Sequence, residues 1–440
     1  MSDSLQRGRR ALGLALVLLV AVYAMQLVRP LHLESDSVCY LRVAELAAEG
    51  RGFGCPGCDR THCSILYPPG YPWVLAVLIR SNIATPQAFM LLNFASLAVG
   101  LVAAASLWRR TFALGRTAVL GMAALMLLWW PVFRYANNPL SDFLFFALAL
   151  ASVQAATLAS ERVGWTKFRM LLVSAVLAYA ALKVRTIGIA VAPAILWAAL
   201  VRPGQVGRFR EQVVSHRAAV FAGALLLVIL GAAAVVYLRH SQYVTVDLRT
   251  QYSRGLVATL RDAWGYRLTE WGELAANVPE GKMPGALRPL VPVIGVGFLG
   301  VLGWALWRRR RNVGPAEVFT AAVTAIMLIW PFKDPRFWLP VLPLFLGLIA
   351  WALIPTLSRS TWRRVLVLIV GWFVAVGLAG QVYNTRISLA GEQFPTRFAD
   401  AYLGPVYRAA WGLRSALDTV PVDSTALHVL RRFEVRAREH

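Results

Sequence analysis

Long apolar runs separated by short polar stretches recur from one end of the 440-residue chain to the other. The runs do not alternate with period two, and most approach the ~20 residues that a helix needs to cross a bilayer. Eleven spans are predicted, at roughly 11–29, 86–107, 117–133, 140–158, 170–183, 187–201, 218–238, 289–307, 317–331, 337–354 and 364–382. The class is therefore an all-α polytopic membrane protein; a β-barrel would need short alternating segments. The domain reading is one transmembrane unit, 1–382, holding a first outer loop at 30–85 and a long outer loop at 239–288. A short outer-facing tail, 383–440, follows it. Two amphipathic helices are expected outside the spans. One runs through Leu256, Leu260, Trp264, Leu268 and Trp271, the other around Tyr402, Val406, Leu413 and Leu417.

Charge sets the sidedness. Twenty Lys and Arg fall in the N-terminal stretch and in alternate short loops: Arg109–Arg116, Arg162–Arg169, Arg202–Arg217, Arg308–Arg311 and Arg359–Arg364. Only Asp3, Glu161, Glu211 and Glu317 accompany them, so these loops are expected in the cytoplasm. The net charge of +23 follows largely from this bias and does not argue for nucleic acid. Composition agrees, with 58% hydrophobic and 15% charged residues, where a soluble domain carries about 25% charged. The first span lacks a small-residue cleavage site and is expected to stay as a helix. No N-x-S/T sequon occurs, which favours a bacterial or archaeal cell membrane with the long loops facing the periplasm or exterior.

All four cysteines, Cys39, Cys55, Cys58 and Cys63, lie in the first outer loop, on the oxidising side. They read as two disulfides with three possible pairings; zinc held with His62 or Asp59 is the alternative. Five stretches place ionisable residues at outer helix ends, where they are functional candidates. They are Glu34-Ser-Asp36 with Tyr40, the rigid Tyr67-Pro-Pro-Gly-Tyr-Pro72 turn, Asn137-Asn-Pro-Leu-Ser-Asp142, Lys183-Val-Arg185 and Lys333-Asp-Pro-Arg336. Asp36 and Asp142 each read equally as a simple helix cap, and the lysines as interfacial snorkels. As a set they suggest a carboxylate base beside cations that hold a phosphate at head-group level.

In this order the stretches resemble the GT-C superfamily of integral membrane glycosyltransferases. Within it they are similar to the protein O-mannosyltransferase, aminoarabinose-transferase and rhizobial lipopolysaccharide galacturonosyltransferase-like families. The shared features are Asp36 with Tyr40 four residues on, Y-P-P-G-Y-P, N-P-L-S-Asp142, K-V-R-T-I-G and D-P-R-F-W-L-P-V-L-P. The resemblance implies a GT-C bundle of about 11 transmembrane helices, with amphipathic helices in the first outer loop. It also implies an inverting transferase that takes a sugar from a polyprenyl- or dolichyl-phosphate carrier to a hydroxyl on a lipid, glycan or protein. Asp36 would be the general base, and Asp142 would orient the acceptor or a bound cation. Lys183, Arg185, Arg336 and Lys333 would hold the carrier phosphate, and Tyr40 and Tyr67 would line the substrate. Ser37 and Tyr67 stand where related sequences often carry a second acid and a lysine. No cofactor beyond a divalent cation is implied. The competing readings are a transporter or flippase of lipid-linked sugars, which would favour polar residues in mid-span, and a lipid-carrier-dependent polymerase or ligase of another fold.

Overall fold

The computed structural model describes residues 2–27, 31–55, 63, 67–201, 249–355, 360–390, 403–413 and 422–435, and every regular element among them is helical. The main helices in order are α1 (Ser2–Met25), α2 (Ser35–Ala48), α3 (Gly70–Arg80), α4 (Pro86–Arg110), α5 (Arg116–Leu127), α6 (Trp130–Tyr135), α7 (Ser141–Ser160), α8 (Gly164–Val184) and α9 (Val191–Leu200). They continue with α10 (Leu256–Ala276), α11 (Leu290–Arg309), α12 (Pro315–Ile329), α13 (Leu342–Leu353), α14 (Ser360–Ser388), α15 (Leu403–Ala410) and α16 (Ser424–Leu430).

Among the described residues five stretches are long and apolar enough to cross a membrane: Gly8–Met25, Pro86–Arg110, Ser141–Ser160, Gly285–Arg309 and Arg363–Ser388. The expected span 218–238 and the basic run Arg202–Arg217 lie outside the described residues. The other expected spans fall on shorter or more polar helices, and proline explains two of them. α5 stops at Leu127, and the chain restarts as α6 with Pro131 in its first turn, so 117–133 is not one helix. A 3-10 turn at Pro335–Trp338 delays α13 to Leu342, which shortens 337–354. Helix α7 is the central pillar: its apolar window is 72% buried, against 11% for α1 and for α14 at the periphery. It is apolar on all faces, as a helix surrounded by others must be.

Among the described residues, three of the basic loops meet at the end where α7 finishes. Arg110 pairs there with Glu161 at 3.1 Å, and buried Arg309 binds Glu317 and donates to the Thr111 carbonyl at 2.5 Å. The opposite end carries α2, α3 and the tail.

Two expectations change. In α10 the expected apolar stripe divides: Leu256 is 60% and Trp264 58% exposed, Leu260 and Leu268 are half-buried, and Trp271 is buried. Thr259, Ala263, Arg267, Glu270 and Leu274 turn inward. The buried face thus mixes apolar residues with the Arg267 and Glu270 pair, which are matched to each other there. In the tail, Tyr402 and Leu417 lie outside the described residues; the buried face of α15 is Leu403, Val406 and Tyr407, and Leu413 is exposed.

Helix α10 crosses α11 closely, because Gly272 has no side chain: a Cβ there would strike the Val291 carbonyl. Gly272→Val should therefore lower stability by about 1–3 kcal/mol through overpacking, read as a fall in thermal unfolding midpoint in detergent.

Candidate active site

Two helix N-termini build the site, and in both the carboxylate is released from capping. Helix α2 is capped by Glu34 in a capping box with Ser37, whose Oγ accepts the Glu34 backbone N–H at 3.2 Å. Asp36 sits within the first turn and points away. Helix α7 has Leu140 at its N-cap and no side-chain cap, so Asp142 is likewise free to face inward. The simple cap reading of both residues is thereby replaced.

What they face is a shared cluster of guanidinium groups. Asp36 accepts from Arg336 Nη2 at 3.1 Å with Oδ2, and from the Tyr67 hydroxyl at 2.9 Å with Oδ1. Asp142, whose side chain is only 3% exposed, is ion-paired with Arg185 and lies 4.0 Å from Arg336 Nη1. Asp334 grips Arg336 from behind: Oδ2 accepts its Nε–H at 2.7 Å, and Oδ1 accepts its backbone N–H at 3.0 Å. The Arg336 guanidinium also lies over the Tyr135 ring, and that of Arg185 over Phe337. Burial pushes the Asp36 carboxyl up, but Arg336, the Tyr67 hydroxyl and Arg185 outweigh it and hold the group below the usual carboxylate range. Asp36 is thus an anion at neutral pH. Buried Nη1 of Arg336 has no hydrogen-bond partner among the described residues, so its N–H groups remain to be used.

The remaining predicted residues divide. Tyr40 joins the site: its hydroxyl is 2.9 Å from that of Ser141, and its ring packs on Tyr67 at 4.6 Å and on Tyr71 at 5.1 Å. Lys183 ends α8 with its ammonium over the Tyr179 ring, and the α3 start lies against its backbone. A Cβ on Gly70 would lie 2.6 Å from the Lys183 carbonyl oxygen, which is why Y-P-P-G needs its glycine. Lys333 turns elsewhere, to Glu280 at 2.8 Å and Glu273 at 3.5 Å.

Cys39 and Cys63 form a disulfide, one of the expected pairings, and tie the loop before Tyr67 to the first turns of α2. Cys55 is disulfide-bonded as well, so these thiols are not zinc ligands; Cys58, Asp59 and His62 lie outside the described residues. Among the described residues no group of three His, Cys, Asp or Glu could hold a metal ion, and each site aspartate already faces a guanidinium. This donor set does not fit a divalent cation, and no chemistry is assigned to one.

Some site residues carry no weight in the sequence reading. Asp334 stood inside the D-P-R-F-W stretch but was not singled out. Tyr135 carries no signal there, and Tyr71 enters only as part of the rigid turn, yet the Tyr71 hydroxyl is buried with no hydrogen-bond partner among the described residues. Glu270 and Arg267 lie behind Asp334 and were masked by the apolar stripe of their helix. Their one signal is an acid and a base three residues apart on one helix face.

No family model matches the chain, and no curated protein matches it by sequence. Solved structures do match. The crystal structure of ArnT from Cupriavidus metallidurans bound to undecaprenyl phosphate gives a TM-score of 0.52 at 16% identity, covering 96% of this chain and 84% of that one. The same protein in the apo state gives 0.49 at 14% identity with the same coverage. The likeness to the first is one of fold. The chain has an all-α fold like that of ArnT over nearly its whole length.

Arg185→Ala would leave the buried Asp142 without its main counter-charge. We expect a loss of about 3–5 kcal/mol, and partial recovery in the Arg185→Ala, Asp142→Ala double variant. Thermal unfolding of the three proteins checks this.

Proposed function

We propose that the protein is an inverting glycosyltransferase that moves a sugar from a polyprenyl-phosphate carrier to an acceptor hydroxyl, with Asp36 as general base. One observation carries the reading: an ionised carboxylate on Asp36 lies 3.1 Å from a guanidinium, Arg336, whose Nη1 has no hydrogen-bond partner among the described residues. The two halves of the reaction need these two groups. The attacking hydroxyl must lose a proton as its oxygen bonds to the anomeric carbon, and Asp36 takes it. The bond from that carbon to the carrier phosphate breaks on the opposite face. Its electron pair stays on the phosphate, where Arg336 and Arg185 offset the growing charge. Attack on one face with departure from the other inverts the anomeric centre.

Tyr67 holds Asp36 in place through its hydrogen bond, and the Tyr40–Tyr67–Tyr71 aromatic group forms the wall beside it. Asp142 sets Arg185 and orients the acceptor. Lys183, at the rim of the same turn, extends the cationic surface for the carrier phosphate, and Lys333 stands farther off among acids. The long-chain carrier fits a protein whose peripheral helices are built for lipid. The ArnT structure with undecaprenyl phosphate supports a carrier of that chemistry, and the basic loops at the far end support a site facing the periplasm or exterior of a cell membrane.

Purified protein incubated with labelled polyprenyl-phosphate sugars tests the reading. We expect one donor to support transfer, and Asp36→Asn to reduce it by about 10²–10⁴-fold with the unfolding midpoint little changed. Transfer that survives in Asp36→Asn would reduce Asp36 to a packing role.

A further inference from the structure

Behind the site stands a buried ion pair that the proposed chemistry does not use. Arg267 Nη2 and Glu270 Oε1 are 3.0 Å apart on α10, with side chains 1% and 0% exposed. Such a pair is expensive to desolvate and contributes little net stability unless every lone pair is matched. Here the extra bonds go to one place. Glu270 Oε1 accepts the Asp334 backbone N–H at 2.7 Å, and Oε2 accepts the Trp338 indole N–H at 2.7 Å. Arg267 donates to the Phe332 carbonyl just upstream. These contacts hold both ends of the short turn Pro335–Trp338, which carries Arg336 in its middle.

We propose that Glu270 is the positioning residue for Arg336. By clamping Asp334 at one end of the turn and Trp338 at the other, it fixes where the guanidinium points, with Arg267 as its counter-charge. The inference rests on the carrier-phosphate reading of Arg336. Both clamping bonds need an acceptor oxygen. A carboxylate supplies two acceptor oxygens, whereas a carboxamide offers one and a protonated carboxyl one good one. Loss of charge on Glu270 therefore frees one end of the turn.

The clamp is also sensitive to pH. The charged groups around Glu270 are Arg267 on its own helix, Asp334 and Arg336 on the turn, and Lys333 with Glu273 next to them. Helix α12 brings Met327, whose sulfur is 3.9 Å from Arg267. Burial outweighs Arg267 and the two hydrogen bonds, and Glu270 is pushed up to about 7. The signs for folding and for function are then opposite. Acidification through about 7 discharges a buried carboxylate whose folded pKa is raised, so the fold gains stability. The same step loosens Arg336, so phosphate binding weakens. A merely structural Glu270 would move stability and binding together.

The test uses the full-length protein in nanodiscs, with two readouts: binding of radiolabelled undecaprenyl phosphate across pH, and hydrogen exchange of the backbone at 333–339. Wild type should lose affinity as pH falls through about 7, while its unfolding midpoint rises. Glu270→Gln should bind about tenfold more weakly, the cost of one charge-assisted hydrogen bond. It should lose this part of the pH dependence and exchange faster at 333–339. Trp338→Phe removes one clamp and leaves the ion pair; it should show a smaller effect of the same kind should Glu270→Gln not fold. The ligand's own titration is common to all variants and cancels in their ratios. Unchanged exchange at 333–339 in both variants overturns the proposal whatever the ligand does. Equal affinity and pH profile in wild type and variants overturns it while the carrier reading stands. Failure of wild type to bind the probe at any pH defeats the carrier reading, and the exchange data still decide the clamp.

Discussion

The head of the bundle depends on Arg336. Its single guanidinium meets Asp36 from α2, Asp334 from its own turn and, at longer range, Asp142 from the central helix. These elements are as much as 300 residues apart in the chain. Each of these groups would cost several kcal/mol to bury alone. Together they form a network in which every charge has a partner, and removal of any member exposes the penalty of the rest. The fold is therefore strongly constrained at the one end where chemistry is proposed, and loosely constrained along the lipid-facing sides.

The surroundings of Asp36 follow from this demand for placement. Helix α2 carries it, and three devices hold α2. The Cys39–Cys63 bridge fixes the loop that delivers Tyr67. The Tyr40 hydroxyl ties α2 to Ser141 at the start of α7. The tail closes the far side: Tyr407 hydrogen-bonds Leu33 at 2.9 Å and Glu434 accepts from Leu31 at 2.9 Å, while His428 and Arg42 meet at Glu45. The strand-like approach to Asp36, residues 31–34, is thus held by chain more than 370 residues away, with backbone groups satisfied by side chains in place of a sheet. The polar network of Gln26, Asn137, Gln381 and Thr385 does the same for the start of this segment, where α1 leaves the bundle.

Much of the site was legible because its residues break the local rule. Asp36, Asp142, Arg185 and Arg336 are charges at the ends of apolar helices on the side that lacks a positive bias, and each such residue needs a reason. Asp334, Glu270 and Arg267 were not legible for the opposite reason. Asp334 next to Arg336 looks like a local neutralising pair. Glu270 and Arg267 look like the solvated face of an amphipathic helix until the helix is seen to bury them against the turn that carries Arg336. Lys333 breaks the same rule as Lys183, and in the structure its ammonium is paired with Glu273 and Glu280.

The sequence by itself determined the class, an all-α membrane protein with basic loops between apolar helices and isolated ionisable residues at helix ends, because hydropathy and charge bias act on each segment independently of its neighbours. It also placed the cysteines in one loop, where disulfides were the expectation. Only the tertiary structure decided which carboxylates serve as caps and which face the site. It also decided which cations share a carboxylate and which face of α10 is buried. Those outcomes rest on desolvation and on distances between elements remote in the chain, and such energies exist only once the helices have packed.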